Sequence, residues 1–317
     1  MVIVRVLLSR VLWALVTLIA VSFLIFLAIE ILPGDIAARV MGRFATEEMK
    51  AEFRRMRGLD RPMLERYGEW VIGVAQGDFG DSLVNEYKVS DVVMPKLKNT
   101  LLLALFAFIL YVPLAIILGS LSAVYREGIV DTLVSGFTLI CLSIPEFVMG
   151  TLLLYAFAVN IGLFPVMSVV NMAQSTGDAI RMMTLPAVTL AIAMAVYAIR
   201  MLRDNLIEVL DSDYIRMAIL KGVPLRRVVL RHALPNALVP ALNVTALNLA
   251  YLIGGVVVVE KVFAFPGIGT LLVDAVFLRD APVVEACALI VSAVYVIANL
   301  VADVMTVALN PRLRTAK

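Results

Sequence analysis

The chain has 317 residues, of which 62% are hydrophobic and 16% charged, and its mean hydropathy is +0.97. Soluble domains are only about half apolar, so this composition excludes a soluble globular protein and indicates a polytopic membrane protein. The formal net charge of +2 gives no sign of a nucleic-acid partner. Cys141 and Cys287 are isolated and His232 is the only histidine, so neither a metal-ligand cluster nor a Cys/His nucleophile pair can be assembled.

Six apolar segments are long enough to cross a bilayer, which takes about 20 residues. The sequence therefore predicts an all-α fold with six transmembrane helices. Pro113, Pro145 and Pro186 lie in or beside these segments, and we expect them to kink helices without ending them. In chain order the segments are about Val11 to Leu32, Thr100 to Val124, Leu133 to Leu163, Met183 to Met201, Leu238 to Val259 and Val283 to Leu309.

The distribution of lysine and arginine predicts the orientation of the spans. Basic residues of the short loops collect on one side of the membrane, whereas the other side holds only Arg181, Lys261 and Arg279. Because short cytoplasmic loops carry the excess of positive charge, both termini are predicted to be cytoplasmic. The chain then divides into 1–32 with the first span, an outer loop over 33–99, and a five-helix core over 100–317.

The long first loop is predicted to hold two helices. One is capped at Thr46 and ends before Gly58. The second is the amphipathic segment "MLERYGEWVIGVAQG", in which Tyr67 and Trp70 stand beside charged residues. We expect the second helix to lie against the outer membrane interface.

A polar loop over about 204–236 separates the fourth and fifth spans. In "DSDYIRMAILKGVP" a short helix follows three potential N-caps and stops at Gly222, with Pro224 soon after. A second helix is predicted from Pro224, with Arg227 and Arg231 on one face and, on the other, Leu225, Val228 and Val229. The charges alone have an alternative explanation, because basic loops fix topology and meet anionic headgroups. The caps, glycine and proline instead favour a rigid helix that a soluble partner can bind.

This loop resembles the cytoplasmic signature of the inner-membrane permeases of ABC importers, specifically the B-type permease of dipeptide, oligopeptide and nickel uptake systems. Their signature reads E-A-A, three residues, Gly, nine residues, I-x-L-P. Gly222 takes the glycine position, Leu234 and Pro235 supply its end, and His232 replaces the usual isoleucine. Only Ala218 remains of the first triplet, as in the peptide-type version, which reads like D-Y-x-R-x-A-x-x-K-G.

The resemblance extends over nearly the whole chain. Six further segments look like that family and occur in its order: "EILPGD", "LSIPEFVMG", "MTLPAVTLA", "VFAFPGIGTLLVDAV", "RDAPVVEA" and "NPRLR". Each is weak alone, and together with the loop signature they form a specific pattern.

The resemblance implies the architecture of a type I ABC importer permease in a bacterial or archaeal cytoplasmic membrane. Its implied partners are a second homologous permease, two ATP-binding subunits and a periplasmic or lipid-anchored substrate-binding protein. No G-x-x-x-x-G-K-[ST] phosphate loop occurs in the chain, so we expect ATP and Mg²⁺ to be bound by the partner ATPases, with no cofactor and no enzyme activity here. Di- and oligopeptides are the first expected cargo, although nickel, opines and glycosides use similar permeases.

The same resemblance makes Tyr214 to Gly222 a coupling helix seated in a groove of an ATPase subunit. Small and apolar side chains allow close docking, Gly222 permits the turn, and basic side chains can pair with acidic groups of the ATPase. Alternatively, Ala218 packs on its own bundle and the basic residues are solvated. The predicted coupling residues are Tyr214, Arg216, Met217, Ala218, Lys221, Gly222, Leu234 and Pro235.

Polar residues inside the apolar segments are candidates for the translocation pathway, because a charge at bilayer depth costs about 2.5–3.5 kcal/mol. Glu146 is the charged candidate, and Asn243 and Asn248 are uncharged ones. The alternative role for such residues is a hydrogen bond between helices.

A stand-alone secondary transporter or channel is the alternative function. It needs ion-coupling residues near the midplane, for which Glu146 and Asp303 are a small set, and no convincing internal repeat is found. An intramembrane enzyme is disfavoured because no serine/lysine, paired-aspartate or histidine motif is recognisable.

Overall fold

The computed structural model describes residues 2–31, 36–42 and 44–309, with the side chains of 2–8, 36, 39, 239, 241–244, 246–254 and 302–309 outside that description. The described residues form helices and no β-strand, apart from one isolated bridge between Asp81 and Lys88. The helices are α1 (Val2–Ile31), α2 (Ile36–Met41), α3 (Glu47–Met56), α4 (Met63–Ala75), α5 (Val89–Val124), α6 (Ile129–Ser143), α7 (Glu146–Leu154), α8 (Thr176–Leu210), α9 (Asp213–Leu220), α10 (Leu225–Arg227), α11 (Leu234–Val262), α12 (Ile268–Leu278) and α13 (Ala281–Leu309).

The all-α membrane fold predicted from composition is confirmed. Among the described residues, four helices are long and apolar enough to cross a membrane, and a fifth span results if the bent pair formed by α6 and α7 counts as one. The predicted fifth segment falls within α11, which has 29 residues but many side chains outside the description. At 1.5 Å per residue such a helix is about 43 Å long, more than the hydrocarbon core requires.

The third predicted span is broken at its middle. α6 ends at Ser143, α7 begins at Glu146, and their axes differ by 107°. The expectation that Pro145 only kinks a helix was therefore wrong. Pro145 is the N-cap of α7, since the residue before a proline is biased towards extended backbone and Ile144 adopts ψ 124°. Pro186, in contrast, lies inside the continuous helix α8.

The polar loop does not contain a separate second helix. From Leu225 the backbone runs through α10, a π-helical turn over Val228–Ala233 and α11 with no non-helical residue between them. Val228 and Val229 are buried as predicted, but Leu225 is 56% exposed and does not share their environment. The helix of the predicted fifth span is therefore continuous with the end of the polar loop.

The chain forms two compact units. The core unit contains Leu101–Phe265 with terminal pieces of the chain, and the loop unit contains Leu8–Thr100 and Pro266–Val296. These units group residues by their contacts, so they do not coincide with the segments 1–32, 33–99 and 100–317. The division into those segments remains a prediction. Within the core unit, α5, α8 and α11 supply buried side chains such as Tyr111, Met194 and Phe263.

The loop unit contains the two helices predicted for the first loop. In α3 the Thr46 side chain accepts a hydrogen bond from the Met49 amide at 3.3 Å, and Gly58 beyond its end has φ +65°, as the predicted cap and stop require. In α4 the Tyr67 hydroxyl lies 2.8 Å from the Ser22 hydroxyl of α1. This hydrogen bond holds α4 against α1 within the loop unit.

A buried carboxylate joins distant segments of the loop unit. Asp280 is 2% exposed and accepts hydrogen bonds from the Ser82 hydroxyl at 2.5 Å and the Leu83 amide at 3.0 Å. Because a buried carboxylate needs such donors, these bonds hold the 82–83 segment to the start of α13.

Candidate functional site

The short helix α9 begins and ends where its sequence predicts. Ser212 is its N-cap residue in extended conformation, although its hydroxyl donates to the Val209 carbonyl at 2.5 Å and makes no cap bond. Gly222 has φ +80°, a backbone conformation that disfavours residues with a Cβ atom. The turns on both sides therefore define α9 as a separate element between α8 and α11.

One face of α9 is anchored in the core unit. Ile215 is fully buried in an apolar cluster with Leu206 of α8, Val228 of the π-helical turn and Ala237 of α11. Ala218 is half-buried and packs against the same cluster, so the alternative that it packs on its own bundle describes its position in this structure. These contacts hold α9 across the ends of α8 and α11.

The opposite face of α9 is open and apolar. Tyr214, Met217 and Leu220 are 49%, 53% and 80% exposed and recur every three residues, which places them along one side of a helix. Arg216 and Lys221 are exposed beside them. Exposed apolar residues that cluster on one helix face and are flanked by charge are typical of a surface that binds another protein.

Leu234 and Pro235 lie at the junction between the π-helical turn and α11. Leu234 is half-buried against the same cluster as Ile215, whereas Pro235 is exposed. Because proline has no N–H, a helix that continues through Pro235 leaves one carbonyl of the preceding turn without a backbone donor. The wider π-helical turn over Val228–Ala233 directly precedes this junction.

A polar contact that the sequence did not predict links α9 to α11. The Asn236 side-chain amide donates to the Tyr214 hydroxyl at 3.0 Å and to the His232 carbonyl at 2.9 Å. The Tyr214 hydroxyl lies 3.4 Å from the same carbonyl. Tyr214 therefore combines an exposed ring with a hydroxyl that is held by α11.

Two ion pairs surround the same end of the core unit. Arg203 of α8 pairs with Asp131 of α6, and Arg126 pairs with Asp211 at 2.6 Å. The hydrogen bond from Arg126 to Asp211 raises the pKa of the Arg126 guanidinium. The pattern of spans and basic residues contains no signal for the acidic partners of Arg126 and Arg203.

Glu146 is the candidate pathway residue whose side chain the structure describes. It is the first residue of α7, at the break in the third span, and it is half-buried. A Cβ atom on Gly255 of α11 would lie 2.9 Å from Glu146 Oε2, so the carboxylate packs directly on the glycine backbone. The side chains of Asn243, Asn248 and Asp303 lie outside the described part of the structure.

Within the part of the chain that the structure describes, no group of three or more histidine, cysteine, aspartate or glutamate side chains is arranged to hold a metal ion. The end of the core unit at α9 is an exposed surface. It presents apolar and basic side chains on α9 above a packed base.

Comparison with known proteins assigns the chain to a family. Residues 115–315 match the family described as binding-protein-dependent transport system inner membrane component, and residues 3–104 match its N-terminal counterpart. The chain is 36% identical over 294 residues to a probable peptide ABC transporter permease of Sinorhizobium fredii, with 93% of this chain and 94% of the relative covered.

Two further relatives are similar over almost their full length. A glutathione transport system permease of Salmonella typhimurium and a putative peptide transport system permease of Brucella abortus are each 37% identical over 307 residues, covering 97% of this chain and 98% of the relative. The chain belongs to the binding-protein-dependent inner membrane components, and it is the permease subunit of an ABC importer in which separate subunits hydrolyse ATP.

Proposed function

We propose that this permease moves di- or oligopeptides into the cell and that α9 is its coupling helix. The observation that supports the coupling role is the two-sided character of α9, with Ile215 fully buried and Leu220 80% exposed. A helix anchored on one face and open on the other suits the groove of a partner subunit. The peptide cargo rests on the relatives named for peptide and glutathione transport.

The proposed assembly pairs this chain with a second homologous permease, two ATP-binding subunits that hold ATP and Mg²⁺, and a substrate-binding protein. Both termini and α9 face the cytoplasm in this arrangement, in accord with the basic residues around α9. The outer loop over 33–99 faces the other side, where α3 and α4 offer the substrate-binding protein a folded surface. Tyr214, Met217 and Leu220 contact the ATPase, and Arg216 and Lys221 pair with its acidic groups.

The proposed mechanism transmits force through the packed base of the core unit. ATP-driven closure of the ATPases displaces α9, and the cluster around Ile215 passes the displacement to α8 and α11. Gly255 lies further along α11, where Glu146 packs against it at the break in the third span. Movement of α11 therefore changes the position of the break, a rigid-body transition between inward-open and outward-open states. Glu146, Asn243 and Asn248 remain proposed pathway residues.

Reconstitution tests this function. The chain is purified from native membranes with its associated subunits, placed in proteoliposomes, and supplied with radiolabelled di- and tripeptides, including glutathione. We expect uptake only when ATP and Mg²⁺ are present on the side that carries α9 and the loaded binding protein on the other.

The alternative function gives a different result in the same vesicles. A secondary transporter or channel would take up peptide with this chain alone, driven by a proton or sodium gradient and insensitive to ATP. That outcome, or purification of the chain as a homo-oligomer without ATPases, would contradict the proposed function.

A further inference from the structure

We propose that Asn236 is a positioning residue for the coupling helix: its side-chain amide locks the orientation of α9 relative to α11 through the Tyr214 hydroxyl. This inference rests on the proposed coupling role of α9. It concerns a residue outside the family signature discussed above, because Asn236 directly follows Leu234 and Pro235.

The hydrogen bonds form a closed set of three groups. Asn236 Nδ2 donates to Tyr214 Oη at 3.0 Å and to the His232 carbonyl at 2.9 Å, and Tyr214 Oη lies 3.4 Å from that carbonyl. A tyrosine hydroxyl can donate and accept at once, so both of its roles are used. The two shorter contacts have normal geometry for N–H···O bonds, and the third is longer and weaker.

This second attachment is needed because the apolar one leaves α9 free to rotate. α9 has 8 residues and is held in the core unit by one stripe, Ile215 with Ala218. A short helix attached along a single stripe can roll about it, since apolar contacts are not directional. Tyr214 precedes Ile215 by one residue and so lies about 100° away around the helix axis. Fixing Tyr214 in addition to Ile215 removes the rolling freedom.

Because Asn236 lies in α11, its hydrogen bond to Tyr214 couples the orientation of α9 to that helix. It stands in the first turn of α11, beside Ala237, which is fully buried in the cluster around Ile215. A rotation of α9 is therefore passed to the first turn of α11 through a directional bond as well as through packing. Gly255, where Glu146 packs, lies about 28 Å further along the same helix.

The experiment separates orientation of α9 from its binding to the ATPase. Asn236→Ala is introduced into the complete complex, because alanine favours the helix and the exposed site tolerates the smaller side chain. Three quantities are measured in proteoliposomes: ATPase subunits recovered with the permease, ATP hydrolysed, and peptide transported per ATP. We expect recovery and hydrolysis to match the unsubstituted complex and transport per ATP to fall by about threefold to tenfold, the range that one hydrogen bond supports.

A double-substitution cycle identifies the partner of Asn236. Tyr214→Phe removes only the hydroxyl, and combined with Asn236→Ala it is expected to lower transport per ATP no further than the more severe single change, because both remove the same bond. Tyr125→Phe is the matched control, since Tyr125 is also exposed, at 56%, in the core unit. It is expected to leave the ratio unchanged.

Three results would overturn the inference: unchanged transport per ATP in Asn236→Ala, loss of ATPase subunits from that variant, or effects of the two substitutions that multiply. Failure of the proposed function itself is recognised separately. In that case the unsubstituted complex contains no ATPase subunits or transports peptide without ATP.

Discussion

The Asp131 carboxylate of α6 accepts two hydrogen bonds from the Arg203 guanidinium of α8, from Nε and Nη2, each 2.6 Å long. Such a bidentate pair fixes the orientation of both groups. The carboxylate also accepts from the Ser122 hydroxyl at 2.5 Å and the Glu127 amide at 2.9 Å. This single side chain therefore joins the end of α5, the start of α6 and the C-terminal part of α8 in the core unit.

Asp131→Asn is expected to lower the free energy of unfolding by about 2–3 kcal/mol. The amide cannot accept both guanidinium bonds, and it leaves the Arg203 charge without its buried partner. The value lies below the roughly 3–5 kcal/mol for a fully buried pair, because the Arg203 side chain is 26% exposed. Thermal unfolding in detergent checks it. Asp204→Asn is the control, since Asp204 binds the same arginine but its side chain is 69% exposed, and a loss equal to that of Asp131→Asn would contradict the prediction.

Gly255→Ala is expected to destabilise the core unit by about 1–3 kcal/mol, because the new methyl group would lie 2.9 Å from Glu146 Oε2 and the packed helices must shift. The measurement is again thermal unfolding in detergent. The matched control is Gly136→Ala in α6, where an added Cβ meets no atom within 4 Å. That change is expected to be neutral or stabilising, since alanine favours helix over glycine.

The cause of the Gly255→Ala effect is tested by removing the carboxylate. In a Glu146→Ala background, Gly255→Ala should cost less than 1 kcal/mol because the atom it clashes with is gone. An equally large loss in both backgrounds would show that the glycine is required for another reason.

Local signals in the sequence predicted much of the fold, and contacts between distant residues were missed. The Thr46 cap, the Gly58 stop and the bounds of α9 follow from side chains within a few residues of each helix end, so they were predicted. The complete break at Pro145 was not, because whether a proline kinks or ends a helix depends on what packs around it.

The missed site residues form contacts with residues that are distant in the sequence. Asp131 and Arg203 are 72 residues apart, and Tyr214 and Asn236 are 22 apart. Hydrophobic periodicity reports which face of a helix is buried and carries no information on which polar residues meet across helices. The pattern of basic residues therefore could not indicate the acidic partner of Arg203.

Substitutions on the two faces of α9 should have different effects. Met217→Glu, at a side chain 53% exposed, is expected to leave stability within about 0.5 kcal/mol and to reduce recovery of ATPase subunits at least tenfold. Ile215→Glu is expected to prevent folding, because it places a charge in a fully buried site. Affinity purification and size-exclusion chromatography distinguish the two results.

The control for Met217→Glu is Ile129→Glu at the start of α6, where the side chain is 80% exposed. It adds the same charge at an exposed residue outside α9 and should leave ATPase recovery intact. Normal recovery in Met217→Glu, or equal loss in both variants, would remove α9 as the docking surface.

Asp280→Asn should loosen the loop unit locally. The amide group replaces one of the two acceptor oxygens that bind Ser82 and Leu83, leaving a buried donor without its acceptor at a cost of about 1–3 kcal/mol. Hydrogen exchange of the 82–85 backbone amides should therefore accelerate at least fivefold. Asp81→Asn, at an exposed side chain, is the control, and unchanged exchange in Asp280→Asn would show that the bonds do not hold the segment.

The proposed function requires that α9 is a cytoplasmic helix on which separate ATPase subunits act. The most direct test places a cysteine at Leu220, 80% exposed on α9, and for comparison at Met56, 72% exposed on α3, in a chain whose Cys141 and Cys287 are replaced by alanine. Intact cells are treated with a membrane-impermeant thiol reagent, and inverted membrane vesicles with a cysteine-reactive cross-linker. We predict that the reagent labels only the Met56→Cys variant and that the cross-linker joins only the Leu220→Cys variant to an ATP-binding subunit. Labelling of Leu220→Cys from outside the cell, or no cross-link to any ATP-binding subunit, would contradict the proposed function.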